Sequence, residues 1–299
     1  MVKGLKMPLN FEPISLAKQD KYLKCFSQFP QKASDYSFIN LWGWADVFGL
    51  YWAWSDQMVW IKQTIPKEIF WAPVAPWPEI DWNLCFDEYF DSTAVFHRVP
   101  EDLMVLWKEK IGNRIFIEES REHWDYLYDV NELTQLGGRR FHKKKNLLNQ
   151  FKKNYDFQFV PLDVEMIDMA MALQEKWCTW HDCQSLDALA AENLAISRVL
   201  GSWEKLEDPI GGAILVDRQM VAYTIAEPLS KDTLVIHFEK GNVDFKGTYQ
   251  AVNQMFLEYF GQNFKIVNRE QDLGDAGLRK SKLSYNPSDF LKKYRISLK

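Results

Sequence analysis

The chain has 299 residues, 47% of them apolar and 26% charged, so it is globular and long enough for two domains. A net charge of −5 argues against wholesale electrostatic binding to nucleic acid or anionic membrane and leaves only local patches to do either. No window approaches about 20 apolar residues, which excludes a transmembrane helix, and the start MVKGLKMPLNFEP lacks the apolar run of a signal peptide.

In chain order, Phe11 to Leu16 predicts a strand and Ala17 to Phe29 a helix stopped by Pro30. Phe38, Leu41, Trp42, Ala45 and Phe48 share one face of a helix that Gly49 closes. Leu50 to Trp54 and Met58 to Gln63 read as strands around a hairpin turn at Ser55-Asp56-Gln57. Ile69 to Val74 follows as a strand, Trp82 to Phe90 as a helix and Thr93 to Val99 as a strand. A helix from Glu101 to Ile111 starts just after Pro100, and Arg114 to Glu119 and Trp124 to Val130 are further strands. The second half restarts with a helix over 139–154, a strand at Phe157 to Pro161 and helices at Val164 to Trp180 and Leu186 to Lys205. Strands follow at Ala213 to Val216, Val221 to Ala226 and Thr233 to Glu239. Ala251, Val252, Met255, Phe256 and Tyr259 form the apolar face of another helix, and Phe264 to Val267 the next strand. That strand–helix–strand unit predicts two parallel neighbours. Both halves run helices, then a meander, then strand–helix–strand. This predicts a duplicated architecture with a seam near 131–138, and domains at 1–136 and 137–299. Ten of the 13 Trp precede residue 137, so the first half reads as structural.

The polar run Asn268-Arg269-Glu270-Gln271-Asp272-Leu273-Gly274-Asp275 falls just beyond a strand end, where open α/β sheets place ligands. With its surroundings, HFEKG…GTYQAVN…NREQDLGDAGLRKSKLSYNP, it resembles a bacterial family similar to the C-terminal catalytic domain of phosphatidylglycerol lysyltransferases. Gly137 to Tyr285 carries the resemblance, and Leu278 to Tyr285 is its most specific part. The resemblance implies a fold of two GNAT-like domains in tandem, α/β with mixed sheets, as in peptidoglycan aminoacyltransferases. It implies acyl transfer, with aminoacyl transfer from aminoacyl-tRNA or a similar donor to a small-molecule, peptide or lipid acceptor bearing an amine or hydroxyl as the favoured reading, and an N-acetyltransferase using acetyl-CoA as the runner-up. A non-catalytic binding module on the same fold is the alternative from another class.

The candidate residues sit in four groups. His237 and Glu239 alternate with apolar neighbours and project from one face of a strand, as an acid/base or amine-binding pair or as buried structural groups. Glu227, before Pro228, is a third member. Arg269, Asp272, Asp275, Arg279 and Lys282 form a polar cluster able to bind substrate or to pair internally, and Tyr285 offers a phenol near a leaving group. Arg139, Arg140, Lys143, Lys144, Lys145, Lys152 and Lys153 give seven cations in fifteen positions of one helix, a solvated face or a ledge for tRNA phosphates. Acetyl-CoA-dependent members of the fold use Gln/Arg-x-x-Gly-x-Gly/Ala at the strand-to-helix turn. Here the turn is Asp244-Phe245-Lys246-Gly247-Thr248-Tyr249, and Tyr249 replaces the small residue. Cys25, Cys85, Cys178 and Cys183 are too few and scattered for a disulfide scaffold, so a reducing cytoplasm is the simplest setting. Cys178, His181 and Cys183 lack a fourth ligand for zinc, and no metal is expected.

Overall fold

A computed structural model describes residues 9–55, 58–183 and 186–299; Asp56 and Gln57 of the expected hairpin turn lie outside that range. The first half contains β1 (Glu12–Pro13), α1 (Gln19–Gln28), α2 (Phe38–Phe48), β2 (Leu50–Ser55), β3 (Met58–Gln63), β4 (Ile69–Trp71), α3 (Trp82–Tyr89), β5 (Val95–Pro100), α4 (Glu101–Ile111) and β6 (Ile115–Glu119). Then come β7 (Asp125–Asp129), α5 (Val130–Gln135), α6 (His142–Asn154), β8 (Phe157–Pro161), α7 (Ile167–His181), α8 (Asp187–Leu200), β9 (Ile210–Val216), β10 (Gln219–Ser230) and β11 (Thr233–Gly241). The chain closes with α9 (Thr248–Phe260), β12 (Ile266–Asn268), α10 (Ala276–Leu283), β13 (Asp289–Leu291) and β14 (Lys293–Leu298).

Side-chain caps start several helices. Ser37, Asp81, Asp129 and Asp275 accept from the N–H three residues on, at the starts of α2, α3, α5 and α10. Asp275, expected in the polar cluster, is therefore a helix cap. Gly49 ends α2 in the left-handed conformation.

The two seven-stranded sheets have one order: β1-β2-β3-β4-β5-β14-β6 and β8-β9-β10-β11-β12-β7-β13. Each is antiparallel through its first four strands, parallel at β4–β5 or β11–β12, and antiparallel again at β14 or β7. This is the tandem GNAT-like architecture, and β11–β12 is the expected parallel pair.

The sixth strand of each sheet comes from the other half of the sequence. The compact units are accordingly the segment up to Trp124 with Leu291–Lys299, and Asp125–Phe290. The boundary expected at residues 136/137 falls inside the second unit, between α5 and α6. The reason is that β7 pairs with β12 and buries Tyr126 and Tyr128 in the second core, while β14 pairs with β5 and β6. Hydrophobic periodicity reports that a strand exists but not which sheet it joins.

The first unit is built on aromatic packing: Trp52, Trp60, Trp71, Trp82 and Trp107 are fully buried, and Phe96 meets Phe90 and Trp107 edge-on at 5.0 and 5.2 Å. Its buried charges are Asp35, Arg98 and Lys293, with Asp35 paired to both cations. Burial, with Arg98 and other cations nearby, pushes His97 down to about 4 and His123 down to about 3, so both imidazoles stay neutral.

Candidate active site

The site lies where the second sheet opens. β11 and β12 pair only over Thr233↔Ile266, Leu234↔Val267 and Val235↔Asn268. Past Val235, β11 continues against β10 to Gly241, whereas the chain after Asn268 parts from β11 and follows β7 through backbone hydrogen bonds of Arg269 and Glu270 with Tyr126. His237 and Glu239 project from β11 into that opening, and Arg269 and Glu270 meet them from the other side.

Two ion pairs fill the opening. The Glu239 carboxylate accepts from Arg269 Nη2 at 2.6 Å and from Asn253 Nδ2, on α9, at 3.3 Å. Both contacts use Glu239 Oε2. Glu239 Oε1 and Arg269 Nη1 are buried with no hydrogen-bond partner among the described residues. His237 bonds through Nε2 to Glu227 Oε1 at 2.9 Å and through Nδ1 to Glu270 Oε1 at 2.7 Å. Burial pulls this imidazole down, but its hydrogen bonds to Glu227 and Glu270 outweigh burial and push it up to about 9. An imidazolium with both nitrogens occupied is not a base near neutral pH, which corrects the expectation of His237 as proton acceptor.

Tyr285 forms the floor. Its hydroxyl accepts from Gln250 Nε2 at 3.1 Å, and Arg269 and Lys144 lie over its ring at 4.8 and 3.8 Å. Burial raises the phenol above its ordinary range, so it stays protonated. Lys282 donates to the Arg269 and Glu270 carbonyls. Burial, then the Arg269 charge, holds Lys282 down to about 8. Arg279 grips Asp272 with two hydrogen bonds, at 2.9 and 2.8 Å. Burial works against the Asp272 charge, but Arg279, the Tyr126 hydroxyl at 2.6 Å and the Gly274 N–H hold the carboxyl well below the ordinary range. The Arg279 fork, expected to bind substrate, is thus taken up inside the protein.

The predicted residues are therefore partly joined. Glu239, Arg269 and Tyr285 meet directly. Glu227 and His237 join them through Glu270, the neighbour of Arg269. Lys282 touches the same backbone, and Asp272 and Arg279 brace the loop. Of the basic run, Lys144 turns towards Tyr285 and is half-buried. Arg139, Arg140, Lys143 and Lys145 are exposed, Arg140 being paired with Glu132. Sequence reasoning missed Glu270, although it stands in the polar run, because its partnership with His237 depends on strand pairing. It expected β7 as a strand of the first half and so missed its place beside the site, where the Tyr128 hydroxyl donates to the Lys282 carbonyl at 2.9 Å and Asp125 accepts from Asn268 and Gln271 at 2.9 and 3.0 Å.

Elsewhere, Cys178 and Cys183 form a disulfide across the end of α7, a pairing their scattered spacing did not suggest. Among the described residues no group of three His, Cys, Asp or Glu is placed to hold a metal ion. No helix among them is long and apolar enough to cross a membrane.

His237 makes stability pH-dependent. Its folded value of about 9 exceeds an unfolded value near 6.5, so its contribution is complete below pH ~6.5 and disappears as pH rises through about 9. The size is on the order of 3 kcal/mol. Lys144 and Lys282, both depressed to about 8, act oppositely above that pH, so the effect is read as a difference. Chemical unfolding of wild type and His237→Gln between pH 6 and 9.5 should show the gap between them closing by that amount. A constant gap would contradict the assignment.

The chain spans about 60% of an uncharacterised protein of Mycoplasmoides gallisepticum, with 26% identity over 192 residues, or 64% of this chain. A conserved protein of unknown function from Bacteroides thetaiotaomicron VPI-5482 has a similar structure: TM-score 0.86, 26% identity, 97% of this chain and all of that one covered. The C-terminal domain of a putative lysylphosphatidylglycerol synthetase from Agrobacterium fabrum shares the fold, with TM-score 0.65 and 10% identity over 95% of this chain and 92% of that one. The phosphatidylglycerol lysyltransferase C-terminal family matches residues 26–297, nearly the whole chain. With that match added to the two like-ordered sheets and the polar opening between β11 and β12, the chain belongs to the family of phosphatidylglycerol lysyltransferase C-terminal domains.

Proposed function

We propose that this protein transfers an aminoacyl group from aminoacyl-tRNA to an amine or hydroxyl acceptor. One observation favours this donor over acetyl-CoA. Gly247, at the turn into α9, has φ +91°, and a Cβ there would overlap the Leu147 carbonyl and press on Phe151. The turn that would cradle a pyrophosphate is packed under α6. That helix presents Lys143 and Lys145 outward instead, with Arg139 exposed in the turn just before it, which suits an RNA backbone.

In this reading the acceptor attacks the ester carbonyl carbon. The new bond forms as the ester C–O bond breaks, the acceptor's proton passes to a base, and a proton reaches the leaving ribose oxygen. Glu239 is the base, since Oε1 is open while Oε2 is anchored by Arg269 and Asn253. Tyr285, held protonated, is the donor to the leaving oxygen. Arg269 keeps a substrate-binding role through its open N–H. Glu227, Asp272, Arg279 and Lys282 hold His237 and the loop in place.

If the exposed cations of α6 meet phosphates, affinity for aminoacyl-tRNA falls with salt through counterion release. Changing Lys143 and Lys145 to Ala should flatten the log–log salt slope by about 1.5 to 2 and leave the melting temperature nearly unchanged, because exposed charges contribute little to folding. Binding titrations at several salt concentrations measure this. An unchanged slope would return α6 to a solvated face.

A further inference from the structure

We propose that Lys144 and Arg269 form a subsite for one phosphate group beside the Tyr285 ring, apart from the exposed cations of α6. Both cations lie over the same ring, at 3.8 and 4.8 Å. Glu239 occupies one prong of the Arg269 guanidinium, and the other, Nη1, is buried and unmet among the described residues. Lys144 is half-buried, and no described carboxylate or other acceptor receives a hydrogen bond from it. Lys282, close by, spends its ammonium on two backbone carbonyls. Two cations therefore meet at Tyr285, and only Arg269 has a carboxylate partner, Glu239. Burial, then the Arg269 charge, holds Lys144 down to about 8. An anion between Lys144 and Arg269 would relieve that repulsion and fill both open donors. A tetrahedral phosphate, with several strong acceptor oxygens, fits two donors that approach from different elements.

The proposal rests on the aminoacyl-transfer reading only for the source of the phosphate. It is either the last nucleotide of the tRNA donor or the head group of a phospholipid acceptor. The groups that bear on Lys144 are the Arg269 charge after β12 and the Tyr285 ring just past α10, with Lys143 and Lys145 beside it on α6.

The test is calorimetric titration of the full chain with inorganic phosphate, adenosine 5′-monophosphate and a monomeric short-chain phosphatidylglycerol. Lys144→Met should lower affinity for the best of these about tenfold or more, whereas Lys153→Ala, on the same helix, should not change it. Between pH 7.5 and 9.5 a phosphomonoester keeps its charge, so wild-type binding should weaken above pH ~8 as Lys144 loses its proton. Lys144→Arg should bind without that weakening, which also shows that the site survives substitution. Preference for the nucleotide assigns the subsite to the donor, and preference for the lipid assigns it to the acceptor. Equal binding in wild type and Lys144→Met, or none of any probe, overturns the subsite while leaving tRNA binding through the outer cations untouched. Phosphate binding without tRNA binding would instead count against the donor reading.

Discussion

Glu239→Gln is expected to slow aminoacyl transfer by about 100- to 10,000-fold while the protein stays folded. The amide keeps an oxygen for Arg269 Nη2 and Asn253 Nδ2, so the buried cation retains a partner. What is lost is the open oxygen that takes the acceptor's proton, and general base catalysis contributes within that range. Single-turnover transfer from labelled aminoacyl-tRNA, beside a thermal melt, measures both. A folded variant within about threefold of wild type would remove Glu239 from the base role, because a base of that importance accounts for at least about 100-fold.

Gly247→Ala is expected to destabilise the second unit by about 2–5 kcal/mol. Alanine in the left-handed region costs about 1–2 kcal/mol. The overlap with the Leu147 carbonyl adds an overpacking cost of about 1–3 kcal/mol, since backbone cannot swing aside as a side chain can. For a unit of this size the midpoint should drop by roughly 5–15 °C, read by calorimetry. A melt within about a degree of wild type would mean that α6 is not held over this turn. The argument against a pyrophosphate there would then fall too.

The elements were legible wherever local chemistry fixes them. The Pro100 start of α4, the Gly49 end of α2 and the bounds of β8 all stand within a residue of their expected places. The opening at β11–β12 was legible because a strand–helix–strand unit forces parallel strands and a polar run followed the second. The exchange of β7 and β14 was not, since either strand satisfies the same alternation in either sheet. That exchange hid Asp125, Tyr126 and Tyr128 from the site. It also brings the distant Lys293 against Asp35, which no local pattern could announce. His237 was found, but its role was not, because the sequence does not reveal that two carboxylates flank it.

The donor decides the account. Purified protein is mixed in parallel with bulk tRNA carrying radiolabelled amino acids and with radiolabelled acetyl-CoA, each with an extract of membrane lipids and cell-wall precursors, and Glu239→Gln serves as the blank. The account predicts that label leaves the tRNA for a lipid or amine product with wild type and not with the blank, and that acetyl-CoA yields no labelled product. Acetyl transfer by wild type, with aminoacyl-tRNA left intact, would contradict it.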